Sequence, residues 1–123
     1  MSYIDGFVIA MPKKNLPAYK KMAKEGGKIW MKCGALNYVE AIGEDLGVAK
    51  KWGNLPFPTM VKAKKDEIVV FSYVVYKSRK HRDAVNKKVH AAMDKAYADT
   101  KDFEMPFEMQ RAAVGGFEAF VDL

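Results

Sequence analysis

The order of elements along this 123-residue chain predicts an α+β domain in which two strand-helix-strand halves share one antiparallel four-stranded sheet. Three observations carry the prediction. Two segments, one after Asn15 and one after Ser78, repeat apolar residues at spacings of three and four, the period of an amphipathic helix. Short stretches rich in β-branched and aromatic residues flank each of them, giving the order strand, helix, strand, strand, helix, strand. The stretch Ile-Val-Val-Phe-Ser-Tyr-Val-Val-Tyr at 68–76 is apolar on both parities, so both faces of its sheet are expected to be covered.

Taken in order, residues 3–11 form an apolar run interrupted by Asp5 and Gly6 and ended by Pro12, which reads as the first strand. Asn15 is placed to cap the following helix, with Pro17 tolerated in its first turn. Leu16, Tyr19, Ala23, Gly26, Trp30 and Cys33 make one apolar stripe, while Lys20, Lys21, Lys24, Lys28 and Lys32 fall mostly outside it. Gly34 ends the helix. The pair Gly26-Gly27 weakens it by about 1 kcal/mol per glycine relative to alanine, a cost that close approach to the sheet would offset.

Residues 36–42 read as a second strand, and 43–58, with Trp52, Gly53, Pro56 and Pro58, as a loop rich in breakers. A short strand over 59–63 and a turn at Lys65-Asp66 lead into the central strand at 68–76. Ser78 caps a second helix, whose stripe is Val85, Val89, Ala92, Met93 and Ala96. An irregular link over 98–110 precedes a last strand at 112–121. This is the split βαβ order of a ferredoxin-like domain, spanning residues 1–123 as a single unit with both helices on one face. The opposite face keeps apolar residues in the central strand, so a two-fold homodimer with sheets packed face to face is expected.

Half of the residues are hydrophobic, enough for a core without staples. The single cysteine, Cys33, excludes an internal disulfide, and with only two histidines no metal or other cofactor is expected. Cys33 itself lies on the apolar stripe and reads as a small buried hydrophobe. The first residues lack a basic region and a long apolar core, and no run approaches the roughly 18 apolar residues of a membrane span, so a cytoplasmic protein without a membrane partner is expected.

The net charge of +6 is unevenly distributed. Residues 1–33 hold seven lysines against Asp5 and Glu25, and residues 77–95 hold seven Lys or Arg against Asp83 and Asp94, each a net of +5. From Asp99 onward the sign reverses, with Lys101 and Arg111 against six acidic residues. Both basic stretches coincide with helices and read first as a solvated outer layer; the alternative is a surface for RNA or another polyanion. The aromatic and basic interleaving of a single-strand platform is missing, so nucleic acid is the lesser expectation.

Several short motifs, in order, carry a family likeness. They are Asp5-Gly6-Phe7-Val8, Gly34-Ala35-Leu36, Val70-Phe71-Ser72 with Tyr76, Arg82-Asp83 with Asn86, Met105-Pro106-Phe107, Arg111, and Gly115-Gly116-Phe117-Glu118. Over essentially its whole length the chain resembles the small bacterial YbaA-like proteins, whose domain has no established activity. The resemblance implies the dimeric α/β barrel fold. Its wider superfamily includes cofactor-free monooxygenases, isomerases, haem enzymes and stress proteins, so fold kinship transfers no mechanism.

No Ser-His-Asp set, glycine-rich phosphate loop or paired-cysteine motif is present. His81 and His90, nine residues apart on one helix, point to opposite sides and cannot share a metal. Glu40 shares parity with Leu36, Tyr38 and Ile42 and can serve as acid or base; the favoured alternative is a buried bridge from Glu40 to Arg111. Glu118 shares parity with Val114 and Phe120, which raises the same question. Arg82 borders the buried face of the second helix with Asn86 four residues on, a guanidinium and an amide able to meet an anionic or carbonyl-bearing ligand, or else to anchor helix to sheet. Gly115-Gly116 within a strand marks a bulge or a close contact. Trp52 with Phe57 reads as a lid over a pocket mouth or as a dimer-clasping arm.

Together these residues lead to the expectation of a homodimer that binds a small, partly apolar molecule, with Tyr38, Trp52, Arg82, Asn86, Arg111 and Glu118 as ligand contacts. If it is an enzyme, the resemblance implies cofactor-free monooxygenase or isomerase chemistry, with Glu40 or His81 handling a proton. The remaining alternative is a structural or stress-related dimer without a ligand.

Overall fold

Four strands and two long helices build the molecule in the computed structural model, which describes residues 1–98 and 104–123. The elements are β1 (Tyr3–Pro12), α1 (Leu16–Lys32), β2 (Asn37–Ile42), two helical turns α2 (Val48–Lys51) and α3 (Phe57–Met60), β3 (Glu67–Tyr76), α4 (Arg79–Ala96) and β4 (Ala113–Glu118). The sheet order is β2-β3-β1-β4 with every neighbouring pair antiparallel, the ferredoxin-like arrangement. No described helix is long and apolar enough to cross a membrane.

Strand alternation divides β3 between two environments. Val70, Ser72, Val74 and Tyr76 are buried, and Val74 and Tyr76 pack with Val85 and Val89 of α4. Val70 packs instead with Ile9, Met11 and the α1 residues Tyr19 and Ala23. The core thus has two lobes, one under the first half of α1 and one where the end of α1 meets α4. The other parity of β3, Val69, Phe71, Tyr73 and Val75, faces away from the helices beside Ile4 and Val8 of β1 and Phe117 of β4. Phe57 of α3 stands edge-on to Phe71, with ring centroids 6.3 Å apart, and at this end of the face Val69 and Ala10 are buried. Among the described residues nothing covers the rest of the face, leaving Phe71 45 % and Phe117 63 % exposed.

Four expectations about local structure are corrected. Residues 59–63 form no strand: Phe57–Met60 is a helical turn closed by the Met60 and Val61 amides on the Pro56 and Phe57 carbonyls. Proline favours the start of a helical turn, and no neighbouring strand competes for the backbone groups of Thr59 and Val61. Asn15 does not cap α1 with its side chain. A 3₁₀ turn over Lys13–Asn15 gives Asn15 a helical backbone, and its amide instead donates to the Pro106 carbonyl at 2.8 Å, tying the late link to the start of α1. The loop over 43–58 contains the turn α2. The last strand stops at Glu118 because its partner β1 begins at Tyr3, directly opposite. Ser78 does cap α4, its Oγ accepting from the His81 amide at 3.1 Å. Of the irregular link over 98–110, residues 99–103 lie outside the described residues.

Candidate functional site

The acidic residue of β2 and two tyrosines form a cluster beneath α1. Glu40 lies opposite Ser72, and Tyr38 opposite Val74, so both side chains point to the helix-covered side of the sheet. Tyr19 comes down from the second turn of α1. Its hydroxyl donates to Glu40 Oε1 at 2.6 Å, and the Tyr38 hydroxyl donates to Oε2 at 2.6 Å. These lengths are those of charge-assisted O–H···O⁻ bonds. Burial, reinforced by the bond to Glu40, pushes both phenols well above their ordinary range, so both remain hydroxyl donors.

The glycines of α1 make room for this cluster. A Cβ on Gly27 would stand 2.8 Å from Cδ1 and Cε1 of Tyr38. The helix therefore lies directly on the Tyr38 ring, and the local loss of helix propensity is offset by this approach. Two cavities open on either side of α1. One, of about 590 Å³, lies between α1 and the free edge of β2; its wall includes Leu16, Tyr19, Met31, Ile42 and Val70. The second, of about 730 Å³, lies between α1 and α4; its wall includes Met22, Trp30, Met93, Tyr97 and Met105. Ala23, Tyr38 and Glu40 line both, which places the carboxylate between them.

A separate polar network holds α4 to the sheet. Trp30 Nε1 donates to the Tyr76 hydroxyl at 3.0 Å, and that hydroxyl donates to Asn86 Oδ1 at 3.2 Å. Arg82 Nη2 donates to the Tyr3 hydroxyl at 2.9 Å, its Nε lies 3.4 Å from Asp5 Oδ1, and its guanidinium lies over the Tyr3 ring. Tyr76 is fully buried, and burial pushes its phenol up. A Cβ on Gly116 would overlap the Tyr3 hydroxyl, so this glycine marks a close contact; the β1–β4 register runs through it without a bulge.

The structure thus brings together only part of the expected set. Tyr38 and Glu40 meet. Arg82 and Asn86 anchor helix to sheet in the second network, and neither lines the Glu40 cavities. The bridge between Glu40 and Arg111 does not form. Arg111 makes a two-pronged pair with Glu67 at 2.6 and 2.7 Å and also donates to the Lys62 carbonyl. Both residues sit at the β3 start and the β4 approach, whereas Glu40 lies farther along the sheet on its β2 edge. Glu118 is exposed on β4, the opposite edge from β2, so it cannot share a cavity with Glu40. Trp52 is 75 % exposed and lines neither cavity. His81 accepts from the Lys77 amide through Nδ1 and packs edge-on to Tyr76, away from Glu40.

Tyr19 was legible in the sequence only as a stripe residue, and Ser72 as the lone polar residue of the central strand. Asp5 and Glu67 gave weaker signals: one interrupts an apolar run, the other ends a turn. Among the described residues no group of three or more His, Cys, Asp or Glu is placed to hold a metal ion.

A family profile described as "Protein of unknown function (DUF1428)" matches residues 2–109. The chain is 37 % identical over 124 residues to a relative from Escherichia coli strain K12 named "Uncharacterized protein YbaA", covering 99 % of each chain. A protein of the same name from Shigella flexneri matches to the same extent. Among solved structures it is similar to a dimeric ferredoxin-like protein from an uncultured marine organism, with a TM-score of 0.55 and 11 % identity over the whole of both chains. That likeness supports the fold. The chain belongs to the DUF1428 family.

Proposed function

We propose that this member of the DUF1428 family is a homodimer that binds a small, partly apolar molecule in the cavities flanking α1, with Glu40 as the polar anchor. The observation that carries the reading is the position of Glu40 itself. A carboxylate with a hydroxyl donor on each oxygen stands where two largely apolar cavities meet, and such cavities lie in the size range of small-molecule sites. The tyrosine oxygens and the remaining carboxylate lone pairs are acceptors, so a ligand bringing a hydroxyl or amine to this point would complete the cluster. Should a bound ligand lose a proton in the course of a reaction, Glu40 is the nearest base.

The homodimer is supported by the uncovered sheet face with Phe71 and Phe117, and by a structural neighbour that is itself described as dimeric. Screening a metabolite library by thermal shift, with wild type beside Glu40→Gln, tests the site. A compound that stabilises wild type and loses its effect in Glu40→Gln is the expected result. A library in which every stabilising compound acts equally on both proteins would refute the anchor role.

A further inference from the structure

The two cavities share Glu40 but differ in the charge at their rims. Along the cavity between α1 and the β2 edge, Lys20, Lys24 and Lys28 stand four residues apart in one row about 12 Å long. Among the described residues, no carboxylate lies within ion-pair distance of any of the three. The second cavity has Lys21 and Glu25 four residues apart on its α1 flank, a balanced pair. The acidic side chain lining the first cavity is Glu40 at its inner wall, and both its oxygens are already held by tyrosine hydroxyls. The first cavity therefore combines an apolar wall, a negative inner end and a positive rim without a counter-ion.

We infer that the cavity between α1 and β2 selects an anionic amphiphile, an apolar body ending in one carboxylate, with that carboxylate at the lysine row. This rests on the reading of the cavity as a binding site and adds the sign and position of the ligand's charge. The apolar body lies against Leu16, Ala23, Met31, Ile42 and Val70. Glu40 sets the direction: its charge repels a second carboxylate, and more strongly inside the protein than in water, so the ligand head stays outward. Lysine suits the rim, since three ammonium groups on flexible stems can converge on a single head.

ω-Hydroxyoctanoate and the matching α,ω-octanediol, each bringing a hydroxyl to Glu40 and differing only in the outer head, are titrated calorimetrically into the protein to test this. The comparison protein is the variant Lys20→Gln/Lys24→Gln/Lys28→Gln, whose three altered side chains are exposed and whose fold is checked by its thermal transition. Wild type should bind the hydroxy acid about fivefold to tenfold more tightly than the diol at low salt, the scale of a few exposed charge pairs. The triple variant should lose that preference while binding the diol as wild type does. In about 1 M salt, where the Debye length falls to about 3 Å, the wild-type preference should also vanish. Equal affinity for the two probes in wild type, or a preference that survives in the variant, overturns the charge selection and leaves the binding cavity standing. Failure of both probes to bind overturns this inference, and the cavity reading then stands or falls on the library screen.

Discussion

Gly27 of α1 faces the ring of Tyr38 so closely that a Cβ at that position would lie 2.8 Å from two ring carbons. Its neighbour Gly26 has only the Met93 methyl nearby, at 3.6 Å from the same hypothetical atom. The two glycines of one dipeptide thus have different reasons to be there. Gly27 seats the helix on the Glu40 cluster; Gly26 leaves slack against α4.

Alanine at each position separates these roles. Gly26→Ala should be neutral or stabilising by up to about 1 kcal/mol, the helix-propensity gain. Gly27→Ala gains the same propensity but must displace the Tyr38 ring, an overpacking cost of about 1–3 kcal/mol, and should come out destabilised. Urea unfolding of the two variants checks the order; a Gly27→Ala more stable than wild type would show that the ring yields freely.

The tyrosine-carboxylate cluster should behave as a unit. Tyr19→Phe removes a donor from Glu40 and should cost about 1.5–3 kcal/mol, as should Tyr38→Phe. The triple variant Tyr19→Phe/Tyr38→Phe/Glu40→Leu removes every partner together and should cost clearly less than the three single changes summed. Equilibrium unfolding of the full set measures the coupling. Strict additivity would mean that the hydroxyls do not depend on the carboxylate.

The same cluster, together with Tyr76 of the network under α4, predicts loss of stability at high pH. Tyr19, Tyr38 and Tyr76 have phenols raised above their ordinary value of 10.0, so the folded chain holds protons that the unfolded chain releases. Their contribution is complete below pH 10 and declines as pH rises beyond it. Ultraviolet titration should show these three ionising only together with unfolding. Ionisation of all six tyrosines near pH 10 with the fold intact would contradict the burial of the three.

At the acid end the pair of Glu67 with Arg111 governs. The two-pronged hydrogen bond from Arg111 holds the Glu67 carboxyl down at about 2, against 4.5 ordinarily. A lowered folded value means stability that is present above the unfolded value and lost as pH falls from about 4.5 toward 2. Glu67→Gln should therefore lower the melting temperature at neutral pH, with the gap to wild type closing near pH 2. A gap independent of pH would assign the loss to packing rather than charge.

Packing two sheets face to face makes association sensitive to a charge on the uncovered face. Phe117→Glu should shift the protein from dimer to monomer in light scattering at micromolar concentration. Because Phe117 is 63 % exposed in the protomer, the fold should be affected by no more than about 0.5 kcal/mol. A wild-type protein of monomeric mass would leave that face without its proposed cover.

Periodicity located both long helices, as the recurrence of Tyr19, Ala23 and Gly26 at helical spacing shows, and the unbroken apolar run at 68–76 located the central strand. The cap at Ser78 was equally legible, since capping is a local matter of one side chain and one amide three residues on. Local rules failed where a distant partner competed. Asn15 has the chemistry of a cap but gives its amide to Pro106, and Thr59 has strand propensity but no strand beside it.

Which carboxylate meets which partner was decided only by the tertiary structure. The parity of Glu40 in β2 assigns it to a face, yet along a string of residues both Tyr19 and Arg111 are open to it as partners. Sheet order settles the matter: β2 lies at one edge under α1, while Arg111 reaches Glu67 at the start of β3. Hydrophobic pattern is a one-dimensional signal that survives in the sequence. Ion and hydrogen-bond pairing depends on distances of a few ångströms between remote segments, and those exist only after the sheet has closed.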